Sequence, residues 1–90
     1  MKLIETNDGF MIERAPCEYI ADAQGNNLFS TKTEAKRAAA HYKIAQAEQS
    51  IQRALNCNLA GYIVRARRNA LAVACSDAAL LEAQIMLESQ

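Results

Sequence analysis

The chain has 90 residues, with ten Lys or Arg against ten Asp or Glu, so its formal net charge is zero. A length well below about 150 residues argues for one domain, and 51% apolar with 22% charged residues argues for a globular chain over a disordered one. No unbroken apolar run approaches the ~18 residues of a membrane span. Residues 1–20 carry Glu5, Asp8, Glu13 and Glu18 where a secretory signal has a basic start and an apolar stretch. The expectation is a cytoplasmic chain, away from membranes, folded as a single α+β domain over 1–90.

Residues 2–6 and 10–14 read as strands flanking Asn7-Asp8-Gly9, a hairpin signal in which Gly9 supplies a positive φ. Phe10 and Ile12 alternate with Met11 and Glu13, which gives the second strand one apolar face. Pro16 interrupts, so 15–17 is a connection or an edge irregularity. Residues 18–22 resume an extended pattern, Ala23-Gln24-Gly25-Asn26 is a turn, and 27–29 is a short return strand. Together these predict an antiparallel β-meander of three to four short strands, packed on the helices that follow.

Helix 32–55 is the clearest element. Thr31 and Glu34 fit a capping box, no Gly or Pro follows until Gly61, and Asn56 and Asn58 favour termination. At about 100° per residue it is apolar on two sides. Ala40, Ile44, Ala47, Ile51 and Leu55 lie on one, and Ala35, Ala38, Tyr42 and Ala45 lie nearly opposite. Two apolar sides suggest a helix held between two layers. Residues 61–75 admit two readings. The Ala content favours helix, whereas Ile63, Val64 and Val73 suit strands of a hairpin turning at Arg67-Arg68-Asn69. Ser76-Asp77 then reads as the cap of a last helix over 78–89, with Leu80, Ala83 and Leu87 in one apolar row and Leu81 and Ile85 in another.

Catalytic patterns are sparse. His41 is the one histidine and reads as a solvated helix residue, and Gly9, Gly25 and Gly61 form no phosphate-binding loop. No enzyme activity and no cofactor are expected. Cys17, Cys57 and Cys75 contain no C-x-x-C pair, so each reads as a small buried apolar residue in a reducing compartment. A metal site of three Cys plus His41 is allowed by count alone, but its spacing matches no known ligand pattern.

Charge order is more informative. Residues 1–31 sum to −3, 32–76 to +6 and 77–90 to −3. Lys32, Lys36, Lys43, Arg65, Arg67 and Arg68 are the candidate binding residues of this basic middle, toward phosphate or acidic protein. Phosphate binding needs several cations on one surface. A pI near 6.6, and aromatics that are not interleaved with the cations, make nucleic acid the second reading. The first is a non-catalytic protein-binding module, because both helices carry more apolar circumference than one small core uses; a homo-oligomer would use the same faces. The stretch 22–35, a turn, a strand and a capped helix, is similar to many short bacterial and phage-borne hairpin–helix proteins. That likeness, the small size and the lack of catalytic patterns fit a mobile-element inhibitor of a host complex, of the anti-CRISPR kind.

Overall fold

The computed structural model describes residues 1–22 and 24–89. The elements run β1 (Lys2–Thr6), β2 (Gly9–Ala15), β3 (Glu18–Tyr19), α1 (Lys32–Asn56) and α2 (Gly61–Glu88). This is the α+β order read from the sequence: an antiparallel meander, a long central helix and a C-terminal helix. Two compact units divide it, Met1–Ala39 and Ala40–Gln90.

In the first unit the sheet order is β1-β2-β3, all antiparallel. The register pairs Lys2 with Glu13 and Thr6 with Gly9, leaving Asn7 and Asp8 as a two-residue loop. Gly9 is the turn residue with positive φ, at 149°. Its missing side chain has a second use. Phe10 and Phe29 exchange two backbone hydrogen bonds of 2.8 Å, and that bridge lays the Phe29 carbonyl against Gly9, where a Cβ would collide with its oxygen. The expected return strand 27–29 is therefore reduced to one bridge at Phe29.

Pro16-Cys17 joins β2 to β3. Proline suits the first corner of a type II turn, and Cys17 takes the left-handed second corner at φ 63°. The register shifts between Glu13 and Ala15, and Arg14 reaches Glu18 in an exposed ion pair of 3.3 Å. The strand stops at Tyr19, shorter than 18–22, although Ile20 N still donates to Ile12 O at 2.9 Å. Of the expected turn 23–26, Ala23 lies outside the described residues. Asp22 organises the rest: its Oδ1 accepts from the Gln24 and Asn26 amides, both at 2.9 Å. Ile12, Ile20, Phe29 and Ala35 are the buried core here, Ala35 belonging to the first turn of α1.

α1 starts as its sequence indicates, with Thr31 Oγ1 accepting from the Glu34 amide at 3.1 Å. It ends in a Schellman motif. Leu59 N donates to Ala54 O at 3.0 Å and Asn58 N to Leu55 O at 3.2 Å, while Asn58 takes φ 53°. The chain then turns into α2, a single helix of 28 residues. Residues 61–75 are thus helical, and the expected boundary at Ser76-Asp77 is absent. Ser and Asp cap a helix only where the preceding backbone is not already helical, and nothing in the Ala-rich stretch before them breaks the helix.

Three substitutions test these joints by urea denaturation. Gly9→Ala should lower stability by about 1–3 kcal/mol through the clash with Phe29 O. Asn58→Val should lower it by about 1–2 kcal/mol by forcing a β-branched residue left-handed, while Asn58→Gly should change it by no more than about 0.5 kcal/mol.

Candidate functional site

Within the second unit, α2 meets α1 through one seam. On α2 the half-buried positions, besides Ile63 in the first turn, are Val64, Arg67, Leu71, Ala74, Ala78, Leu81 and Ile85; on α1 they include Ala40, Ile44, Ala47 and Ile51, and Ala54 is fully buried. Both sets advance by alternate steps of three and four, the spacing of a supercoiled helix pair. Leu55, expected in the α1 row, is instead exposed, and Ala54 takes the inner position.

The six candidate cations do not share one role. Lys32 and Lys36 lie in the first unit, and Lys43, Arg65, Arg67 and Arg68 in the second. Lys32 and Lys36 are exposed and about one turn apart on α1, and Lys43 is exposed in the second unit. Arg65 and Arg68 are exposed and one turn apart on α2. Arg67 is committed elsewhere. It sits in the seam, and its Nη1 donates to Ser50 O at 2.7 Å. A charged donor reaches a helix carbonyl there, in a half-buried site where such bonds are stronger than at the surface.

Three further expectations meet the structure here. His41 is exposed on α1. Cys17, Cys57 and Cys75 are free and exposed, not buried as their residue type suggested. Cys17 is held at a turn corner, Cys57 follows the last turn of α1, and Cys75 lies outside the α1–α2 seam. Among the described residues no group of three or more His, Cys, Asp or Glu is placed to hold a metal ion.

The largest unexplained feature is the outer side of α2. The helix has no fully buried residue. Tyr62, Val73, Leu80 and Leu87 are 60–71% exposed and, with Ala66, share one face turned away from the seam. The sequence reading found Leu80 and Leu87 but missed Tyr62 and Val73, because it split the segment at Ser76. Read as one helix, residues 66, 73, 80 and 87 recur every seven positions and mark the stripe. By length and composition α2 is also long and apolar enough to cross a membrane, although no unbroken apolar run reaches that length. Asp77 and Glu82 fall inside it. No family model, curated protein or solved structure matches the chain.

Removal of the Arg67 side chain should loosen the hairpin. Arg67→Ala is expected to cost about 1–2 kcal/mol in urea denaturation; Arg65→Ala and Arg68→Ala, on the exposed surface, should stay within about 0.5 kcal/mol.

Proposed function

We propose that this chain is a non-catalytic protein-binding module whose contact surface is the outer face of α2. The observation that carries this reading is a 28-residue helix without one buried residue, displaying Tyr62, Val73, Leu80 and Leu87 to solvent. An exposed Val or Leu gains roughly 1.5–3 kcal/mol on full burial, and contiguous apolar stripes of this kind mark interaction surfaces. A role as inhibitor of a host complex fits such a module.

Two physical arguments favour protein over the other partners. A bilayer would have to take Asp77, midway along the apolar stretch, at about 2.5–3.5 kcal/mol for a carboxylate near the membrane centre. A nucleic acid would have to use cations of which Arg67 is already turned into the hairpin seam and bonded to Ser50 O.

Affinity capture with the tagged chain, with and without nuclease, tests the reading. A stoichiometric protein partner should survive nuclease and change little in affinity between 50 and about 200 mM salt. A nucleic-acid interface would instead lose affinity with a slope near −0.9 per phosphate contacted. Leu80→Glu should abolish capture, and Lys36→Ala should leave it intact. Capture that depends on the cations and not on Leu80 overturns the proposal.

A further inference from the structure

We draw no further inference here: the strongest candidate, the exposed apolar face of α2 formed by Tyr62, Val73, Leu80 and Leu87, is already the contact surface of the proposed function, and nothing in the structure shows what covers it.

Discussion

Two helices packed as a hairpin share one seam, and that geometric limit governs the second unit. A seam covers a narrow stripe on each helix. The sequence of α2 supplies apolar residues around more than that stripe, so the helix closes one side on α1 and leaves another uncovered. Alanine sharpens the problem. Ala40, Ala47, Ala54, Ala74 and Ala78 all occupy seam positions, and they remove little apolar area from water. Tyr62, Val73, Leu80 and Leu87 stand on the outside.

The first unit solves its packing differently. Its core of Ile12, Ile20, Phe29 and Ala35 is small, and backbone hydrogen bonding carries much of the definition. Gly9 allows the Phe10–Phe29 bridge, Asp22 closes the following turn with two accepted amides, and Thr31 then starts α1. Each device is local, and each puts the next segment in place. Arg67 has the corresponding role in the second unit. It joins positions 50 and 67 across the hairpin through a bond to main chain, so the contact does not depend on the side chain at 50.

Features encoded by short-range chemistry were legible in the sequence. Asn7-Asp8-Gly9, the Thr31–Glu34 cap and termination near Asn58 each follow from what a few adjacent residues do to the backbone. The continuous α2 was harder to read. Ser76-Asp77 has the composition of a helix start, but whether it caps depends on the conformation of the residues before it, and Ile63, Val64 and Val73 made that conformation ambiguous. Splitting the helix there also hid the seven-residue recurrence from Ala66 to Leu87, because no half of it is long enough to show a period. Burial of the cysteines was misjudged for a related reason. Residue type describes an average environment, whereas Cys17 and Cys57 are placed by a turn and a helix end. The separate fate of Arg67 within the Arg65–Arg68 cluster depends on where the α1 carbonyls fall, which spacing on one helix does not reveal.

The Phe10–Phe29 bridge has a bearing on how the chain acquires its structure. It spans 19 positions and is the longest-reaching backbone pairing among the described residues. Low sequence separation of this kind is associated with rapid folding, because little chain must be closed before contacts begin to stabilise it. Synthesis proceeds from the N-terminus, so every partner in the meander has been made before the second half of α1 exists. The β-structure can therefore assemble early during translation, while the helices whose outer faces remain sticky are completed last. That order shortens the time for which a half-made apolar hairpin is exposed to other nascent chains.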